Sequence, residues 1–408
     1  MPANLGDGTL MPLASIPEAI ADFEAGKFVI IVDDEDRENE GDLCVAAQLV
    51  TPEHIAFMAK KASGLICTPM LSPRLDELQI DPAVHHNTSR YGTAFSVSVE
   101  ARDFVSTGIS AHDRAATIRH LVNPKAEPGD FAKPGHSFPL RAAEGGVLKR
   151  AGQTEAAVDL ALLAGLYPAG VICEVMNDDG TMARRPELDA FSTEHDIRLI
   201  TIKDLIAYRR RTERLVQRRV VTPIPLEGRR WYAHAYEEVL TREVHVAMVL
   251  GQISPDRPTL IRAHSCCLTG DVFGSQRCDC GPQLHAALGA IGEEGSGVLL
   301  YFGNHEGRGI GLIEKLKAYN LQDEGMDTVE ANEALDQPAD SREYGIGSQI
   351  LYDLGVRRMR LLTNNPRKLI GIEGFGLEVV EQVPIRIEPT EHNARYLLTK
   401  KEKLGHLL

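Results

Sequence analysis

Residues 262–281 read RAHSCCLTGDVFGSQRCDCG, and this stretch contains the most specific chemical pattern in the chain. Cys278 and Cys280 are separated by a single residue, and Cys267 stands eleven positions before Cys278. Thiols at this spacing can converge on one soft metal ion, and zinc is the usual occupant of such sites. Three protein ligands leave the fourth tetrahedral position for water, which is typical of a catalytic rather than a structural zinc. The stretch therefore predicts a catalytic zinc site.

Two other interpretations of these cysteines remain open. Cys266 would make the zinc structural if it supplied a fourth thiolate, although adjacent cysteines rarely both reach one ion. A disulfide is less favoured, because seven cysteines without a visible secretory signal fit a reducing compartment. Three thiolates also give the site a negative charge, and we expect Arg262, His264 and Arg277 to offset it.

Around the cysteines, short apolar runs alternate with loops and helix signals. Pro282 is suited to open a helix that closes near Gly295. Residues 298–302 predict a strand that leads into a glycine-rich loop, and this loop, at residues 307–311, opens a helix. Residues 359–362 predict another strand, which is followed by Pro366 at a helix start. Repeated strand–loop–helix units of this kind indicate an α/β domain.

The first half of the chain is marked by an acidic run. Residues 28–32 predict a buried strand, which leads into DDEDRENEGD at residues 33–42. Carboxylates are hard oxygen ligands that suit Mg²⁺. Thr154 precedes an apolar helix that we expect over residues 155–166. These strand and helix signals indicate a layered architecture here too, and overall we expect a fold that combines α/β and α+β domains, with the α+β domain in this half.

The length and charge of the chain restrict its class. With 408 residues it has material for two domains, which we expect at residues 1–208 and 230–408 with an arginine-rich linker at 209–229. A net charge of -14 argues against a nucleic-acid partner. No apolar stretch suits a membrane span and no secretory signal is visible, so we expect a cytoplasmic protein without a membrane partner.

The second half, residues 230–408, resembles GTP cyclohydrolase II. Besides the cysteine stretch, the matching motifs in chain order are EGRGIG at 306–311, Tyr319, DT at 327–328, DSR at 340–342, LLTNNPRK at 361–368, TK at 399–400 and KLGH at 403–406. The resemblance implies a zinc-dependent opening of the imidazole ring of GTP, in which formate and pyrophosphate are released.

The same resemblance implies roles for individual residues of the second half. Asp340 would accept a proton, Arg342 would act as nucleophile or phosphoryl anchor, and Tyr319 would lie over the reacting base. The other matching positions would contact GTP, and they are Arg262, Ala263, His264, Ser265, Gln283, Glu306, Gly307, Arg308, Thr328, Thr363 and Lys368.

The first half resembles 3,4-dihydroxy-2-butanone 4-phosphate synthase over roughly residues 10–208. The matching motifs are residues 33–42, NTS at 87–89, GTAF at 92–95, TGIS at 107–110, PGH at 134–136, FPLR at 138–141, CE at 173–174 and DDGT at 178–181. The resemblance implies conversion of ribulose 5-phosphate, with loss of formate, by an enzyme that uses magnesium or manganese. The implied roles are metal binding by Glu38, substrate binding by Arg37, Asp42, Arg150 and Thr154, and acid–base catalysis by His136 and Glu174.

Departures from these families at three positions affect the expected activities. The synthase family has a metal-binding His where this chain has Gln153, whose carbonyl oxygen can ligate Mg²⁺ but which cannot take up a proton as imidazole can. We expect the synthase activity to be impaired. Cys266 and Gly303 also replace residues that are usual in the cyclohydrolase family. A GTP-binding zinc protein without turnover and a hydrolase that releases only pyrophosphate therefore remain alternatives. The resemblance also implies a homodimer.

Overall fold

The structure is a computed structural model that describes residues 13–34, 37–103, 105–335, 345–364, 376–391 and 393. The chain forms two compact units, Met1–Arg209 and Arg210–Leu408. Over the described residues, each unit contains one seven-stranded sheet with helices around it, so the predicted layered architecture is confirmed. In this part of the chain, no helix combines the length and the apolar character needed to cross a membrane.

The first unit is built on a mixed sheet with the strand order β4-β5-β3-β6-β2-β1-β7. Its described elements are α1 (Ile16–Glu24), β1 (Val29–Val32), β2 (Gly41–Ala46), α2 (Pro52–Phe57), β3 (Cys67–Leu71), α3 (Ser72–Glu77), β4 (Val99–Ala101), α4 (Ala111–Leu121), β5 (Phe131–Ala142), α5 (Gln153–Leu163), β6 (Gly170–Glu174), α6 (Arg185–His195), β7 (Arg198–Thr201) and α7 (Ile202–Thr212).

The centre of this sheet is buried on both faces. In β1, Ile30 packs into one hydrophobic cluster and Ile31 packs into another on the opposite face, because successive side chains of a strand point to opposite sides. Helix α5 is buried along most of its length, from Gln153 to Ala161. A helix that is apolar nearly all round is expected only in such a buried position. The packing of α5 against the sheet therefore fixes the first turn of α5, which contains Gln153, relative to the ends of β1 and β2, where the acidic run lies.

The second unit has the strand order β14-β13-β11-β12-β10-β9-β8. Its described elements are β8 (Val216–Leu226), β9 (Arg229–Glu238), β10 (Val244–Leu250), β11 (Thr259–Ser265), α8 (Cys280–Glu294), β12 (Gly297–Phe302), α9 (Leu312–Asp323), α10 (Thr328–Glu333), α11 (Gly345–Asp353), β13 (Arg358–Leu362) and β14 (Glu378–Val383).

This second sheet has a parallel half and an antiparallel half. Strands β12, β11, β13 and β14 pair in parallel, whereas β10, β9 and β8 form an antiparallel meander. Ligands in open α/β sheets bind beyond the carboxyl ends of the parallel strands. These ends are Ser265, Phe302 and Leu362, and they lie side by side because the three strands are neighbours in the sheet.

The sequence prediction differs from the structure at the expected linker. Residues 209–229 contain the end of α7 and the strand β8, which pairs with β9 over Val216–Leu226. Most of this strand is exposed, and it forms the edge of the sheet. Helix α8 begins at Cys280, before Pro282, and ends at Glu294, where Gly295 forms the C-cap with a φ of 77°. The helix predicted at Pro366 lies outside the described residues.

Candidate active site

A cavity opens at the carboxyl ends of β11, β12 and β13 in the second unit. It has about 1090 Å³ of free space, its open mouth included. The described residues that the sequence predicted for a metal and nucleotide site almost all line it: Arg262, His264, Ser265, Cys267, Cys278, Cys280, Gln283, Glu306, Gly307, Arg308, Tyr319, Thr328 and Thr363. The fold therefore brings together motifs that are far apart in the chain.

Four predicted positions are not among these lining residues. Ala263 lies on β11 with its side chain in the hydrophobic core, where it is 4% exposed. It can contribute to the site through its backbone alone. Asp340, Arg342 and Lys368 lie outside the described residues, and their roles stay predictions.

The three predicted metal-binding thiols lie together on the wall of this cavity. The sulfur atoms of Cys267, Cys278 and Cys280 are all within 4.8 Å of one another. The distance between Sγ of Cys267 and Sγ of Cys278 is 3.7 Å. Zinc–sulfur bonds of about 2.3 Å at tetrahedral angles place two sulfur atoms about 3.8 Å apart. The geometry of the thiols therefore fits one shared zinc ion.

The backbone at Gly270 forms one side of this thiol cluster. A Cβ atom at Gly270 would lie 2.9 Å from Sγ of Cys278 and 3.1 Å from Sγ of Cys267. It would also lie 3.2 Å from Cβ of Cys280. Because such contacts are shorter than ordinary van der Waals distances, any side chain here would push the thiols apart. The close packing of the three thiols requires glycine at this position.

Cys266 is directed elsewhere, although it precedes Cys267 in the chain. Its thiol donates a hydrogen bond to the carbonyl oxygen of Gly303 at 3.4 Å. Burial, followed by the nearby Glu306 carboxylate, raises the pKa of Cys266 to about 11. Within the described residues, the group of side chains able to share a metal ion contains three thiols and not four. The arrangement does not favour a four-thiolate structural zinc.

Asp271 holds the backbone that carries Cys267. Its Oδ2 accepts a hydrogen bond from the Cys267 N–H at 3.0 Å and from the Tyr301 hydroxyl at 2.9 Å. His264 Nε2 lies 3.1 Å from both carboxylate oxygens of Asp271. The predicted residue His264 is thus tied to the cysteine loop by a carboxylate that the sequence analysis did not single out.

Lys315 is a further cavity residue that the sequence analysis missed. Its Nζ lies 3.1 Å from Sγ of Cys267, 2.9 Å from Oγ1 of Thr269 and 2.6 Å from Oε1 of Glu306. Burial opposes the charge of this lysine, but the bonds to Glu306 and Cys267 raise the pKa of Lys315 above its usual value. Hydrogen bonds with Cys278 and Cys280, together with the Lys315 ammonium, hold the pKa of Cys267 far below its usual range.

The cations expected to offset the thiolate charge have other contacts. Arg262 donates to the carbonyl oxygen of Leu362 at 2.9 Å and to Oε1 of Gln283. Arg277 forms an ion pair with Asp323 at 2.7 Å. In addition to these expected cations, the ammonium group of Lys315 contacts the sulfur of Cys267.

The glycine-rich loop between β12 and α9 has an unusual backbone. Gly307, Arg308, Gly309 and Gly311 have φ angles of 60°, 66°, 94° and 86°. Glycine adopts this left-handed region freely, but for Arg308 it is a strained conformation of the kind that clusters at ligand sites. The loop leads directly into α9, which begins at Leu312, as the sequence predicted.

In the first unit, an arginine connects the residues that were expected to hold a metal. Arg37 donates to Oδ2 of Asp33 at 2.7 Å and to Oε1 of Gln153 at 3.1 Å. It also pairs with Oε1 of Glu38 at 2.9 Å. Gln153 is 5% exposed, and its Nε2 has no hydrogen-bond partner among the described residues. The guanidinium group thus lies between the predicted metal ligand and the glutamine that replaces the usual histidine.

The carboxylates of Asp42 and Glu174, on neighbouring strands, act electrostatically on one another and lie near Glu38. Strands β2 and β6 are antiparallel, and Asp42 stands opposite Glu174. Burial, and then the charges of Glu174 and Glu38, raise the pKa of Asp42 well above its usual value. Burial also raises the pKa of Glu38, against the opposing effect of Arg37. The structure therefore brings Glu38, Asp42 and Glu174 into one electrostatic group.

The remaining predicted residues of the first unit have definite partners. Arg150 pairs with Oε2 of Glu155 at 2.6 Å, and Thr154 is buried in the first turn of α5. Nδ1 of His136 lies 2.7 Å from Oε2 of Glu100.

The two residues predicted as an acid–base pair each bond elsewhere. Glu174 accepts the Leu65 N–H at 2.8 Å, and His136 bonds to Glu100. Among the described contacts, the two predicted acid–base residues do not bond to each other.

Comparison with known proteins identifies both units. Residues 17–208 match the family model of 3,4-dihydroxy-2-butanone 4-phosphate synthase, and residues 217–384 match that of GTP cyclohydrolase II. The chain is 57% identical over 395 residues to the riboflavin biosynthesis protein RibBA of Aquifex aeolicus (strain VF5). This match covers 96% of this chain and 97% of that protein. The chain belongs to the RibBA family. It therefore combines a synthase domain and a cyclohydrolase domain in one enzyme of riboflavin biosynthesis.

Other relatives agree with this membership of the RibBA family. The protein of the same name from Bacillus cereus (strain G9842) is 58% identical over 395 residues, covering 96% of this chain and 98% of that one. Among solved structures, RibBX from A. baumannii, a two-domain 3,4-dihydroxy-2-butanone 4-phosphate synthase, is similar with a TM-score of 0.69. It is 38% identical in sequence, and the match covers 92% of this chain and 100% of that chain.

The thiol cluster of this RibBA-family protein allows a first prediction. We expect Gly270→Ala to separate the thiols, because the added methyl group would lie within 3.1 Å of two of them. Zinc affinity, measured by competition with a chromophoric chelator, should fall by at least about tenfold. Gly289→Ala is the matched control, since a Cβ atom at Gly289 in α8 meets nothing within 4 Å. Equal zinc affinity in the two variants would contradict the assigned packing.

Proposed function

We propose that the cyclohydrolase domain opens the imidazole ring of GTP and releases formate and pyrophosphate, with one zinc ion held by Cys267, Cys278 and Cys280. The observation that carries this proposal is the 3.7 Å spacing of two of these sulfur atoms on the wall of the cavity. Zinc held there would supply the Lewis acidity that makes water a nucleophile near neutral pH.

Residues near the thiols suit recognition of the purine. Gln283 has a fixed orientation, because it accepts from Arg262 and donates to Oδ2 of Asp279 at 2.5 Å. A fixed amide in a cavity can discriminate the edges of a base by its donor and acceptor pattern. Burial raises the pKa of Tyr319, so its hydroxyl stays protonated near neutral pH. The guanidinium of Arg277 lies 5.0 Å from the centre of the Tyr319 ring and orients it. We assign Tyr319 and Gln283 to the base.

The glycine-rich loop suits the triphosphate. Arg308 lines the cavity from a loop in which several residues have left-handed φ angles. Successive backbone N–H groups in such turns form anion-binding concavities. We assign Arg308, Glu306, Gly307, Thr328 and Thr363 to this end of GTP.

The residues outside the described part keep the roles that the family implies. In this proposal Asp340 accepts a proton, Arg342 anchors or attacks the phosphoryl group, and Lys368 supplies a further cation. Arg262, Ala263, His264 and Ser265 follow one another along β11 and complete the contacts with GTP.

Incubation of the full-length protein with GTP and zinc tests this proposal. We expect a new ultraviolet absorption band of a diaminopyrimidine, together with formate and pyrophosphate in equal amounts. Removal of zinc by a chelator should abolish the band, and restored zinc should recover it. An unchanged spectrum with bound GTP would instead indicate a binding protein. GMP and pyrophosphate without formate would indicate a hydrolase, and either result contradicts the proposal.

For the synthase domain, we propose that Gln153 weakens the magnesium or manganese site and impairs conversion of ribulose 5-phosphate. The carboxylate of Glu38 and the carbonyl oxygen of Gln153 would have to hold the metal ion. Both groups bond to the guanidinium of Arg37 in the structure, at 2.9 Å and 3.1 Å. An incoming dication would therefore have to displace a cation that is already paired with its ligands. The neutral amide of Gln153 would bind the metal ion less favourably than an imidazole, so it compensates less for the displacement of Arg37.

The other synthase roles follow the family in this proposal. Arg37 and Asp42 bind the sugar, and Arg150 and Thr154 bind its phosphate at the start of α5, where a helix N-terminus favours an anion. His136 and Glu174 move protons. A homodimeric assembly and a cytoplasmic location also stay predictions.

The effect of Gln153 can be tested by replacing it with histidine, which is the usual residue of the synthase family. We expect Gln153→His to raise the affinity of the protein for Mn²⁺, measured by electron paramagnetic resonance, by at least about tenfold. Formate release from ribulose 5-phosphate should rise with it, because imidazole both ligates the metal and accepts a proton. Gln79→His adds a histidine at an exposed position and should change neither property. Tight Mn²⁺ binding and high turnover in the unaltered protein would refute the impairment.

A further inference from the structure

We propose that Lys315 is a positioning residue of the cyclohydrolase site, which fixes Cys267 as a metal ligand and offsets the charge of the three thiolates. This inference rests on the proposed zinc site. It concerns a residue on α9 that is separated by 48 positions from the cysteine it contacts. The residues around Lys315 support the assignment in three ways.

First, each donor of the ammonium group has a partner in the site. A lysine ammonium has three N–H donors and no acceptor. The three partners of Lys315 are Sγ of Cys267 at 3.1 Å, Oγ1 of Thr269 at 2.9 Å and Oε1 of Glu306 at 2.6 Å. Because all three contacts are made at hydrogen-bond distance, the ammonium has little freedom to move. Lys315 is only 8% exposed, so its charge is buried. This buried ammonium group in turn fixes the position of the Cys267 sulfur.

Second, the charge of Lys315 is the one that a three-thiolate site lacks. A dication with three thiolates has one formal negative charge, and this charge opposes the activation of water. A cationic group that donates to a ligand sulfur offsets this negative charge, so it stabilises the metal-bound thiolates and reduces their opposition to the activation of water. Groups that hydrogen-bond to metal ligands tune the metal in this way and are often worth about 10- to 100-fold in metal affinity or activity.

Third, Lys315 connects the cysteine loop to the glycine-rich loop. Glu306 accepts from Lys315 through Oε1, and its Oε2 accepts the Leu268 N–H at 2.6 Å. The Gly307 N–H also donates to Oε1 of Glu306, at 3.2 Å. The ammonium and this carboxylate therefore hold Cys267 and the start of the left-handed loop in one fixed arrangement. Removal of the ammonium should loosen the thiol and the phosphate-binding loop together.

The test compares Lys315→Met with Lys317→Met in the full-length protein. Lys317 is the matched control, because it lies on the same helix, is exposed and pairs with Glu314 at 2.8 Å. We expect Lys315→Met to lower zinc affinity about 10- to 100-fold in competition with a chelator. With cobalt in place of zinc, the sulfur-to-metal charge-transfer band should move to longer wavelength, because the sulfur loses a cationic donor. kcat should fall more than KM rises, and Lys317→Met should match the unaltered protein in every respect.

A conservative variant separates positioning from general packing. Lys315→Arg keeps the cation. Its zinc affinity should be within severalfold of that of the unaltered protein, and its cobalt band should lie close to the original wavelength. Lys315→Gln keeps a donor without the charge, and it replaces Lys315→Met in the comparison if that variant does not fold.

The possible results distinguish this inference from the zinc proposal. Failure of the unaltered protein to take up one equivalent of zinc or cobalt would overturn the zinc proposal itself. Uptake by the unaltered protein, with the same affinity and spectrum in Lys315→Met, would overturn the role of Lys315 alone. Equal losses in Lys315→Arg and Lys315→Met would also overturn it.

Discussion

The packing of three thiols against the backbone of Gly270 is the constraint on which the cyclohydrolase domain depends. A methyl group at this position would lie within 3.1 Å of two sulfur atoms, so the chain can approach the cluster only without a side chain. Asp271 then fixes the backbone of Cys267, and α8 begins at Cys280, which brings the second and third thiols to the same point. The metal-binding geometry is therefore produced by one short helical segment, Leu268–Val272, and one helix start.

The sheet determines what else can reach this cluster. In the described part of the second unit, the parallel strands β11, β12 and β13 end at the cavity and deliver Ser265, the loop after Phe302, and Thr363. The antiparallel strands extend the sheet on the other side. In the synthase domain, the ends of β1, β2 and α5 also converge, but there the group that connects the expected metal ligands is the guanidinium of Arg37. The two sites thus differ in the arrangement of their charges. In the first domain, the guanidinium group of Arg37 lies among carboxylates. In the second domain, the ammonium group of Lys315 contacts one of the thiols.

The sequence allowed prediction of features whose residues are close in the chain. The cysteine spacing predicted the thiol cluster, Gly295 marked the end of α8, and the glycine-rich loop marked the start of α9. The strand β8 was missed because its residues are mostly exposed and include two prolines. An edge strand tolerates both features, since one side of it makes no sheet hydrogen bonds. Lys315 and the Arg37–Gln153 contact were missed for another reason: their partners are 48 and 116 positions away, and a long-range contact leaves no local pattern.

The zinc coordination shell is the most direct test of how this domain works. X-ray absorption at the zinc edge, on the full-length protein loaded with one equivalent of zinc, measures the number and type of its ligands. We expect three sulfur neighbours at about 2.3 Å and one oxygen or nitrogen neighbour at about 2.0 Å. Four sulfur neighbours would mean that Cys266 closes the site, and a shell without sulfur would mean that the thiols do not bind the metal. Either result would contradict the catalytic site described above.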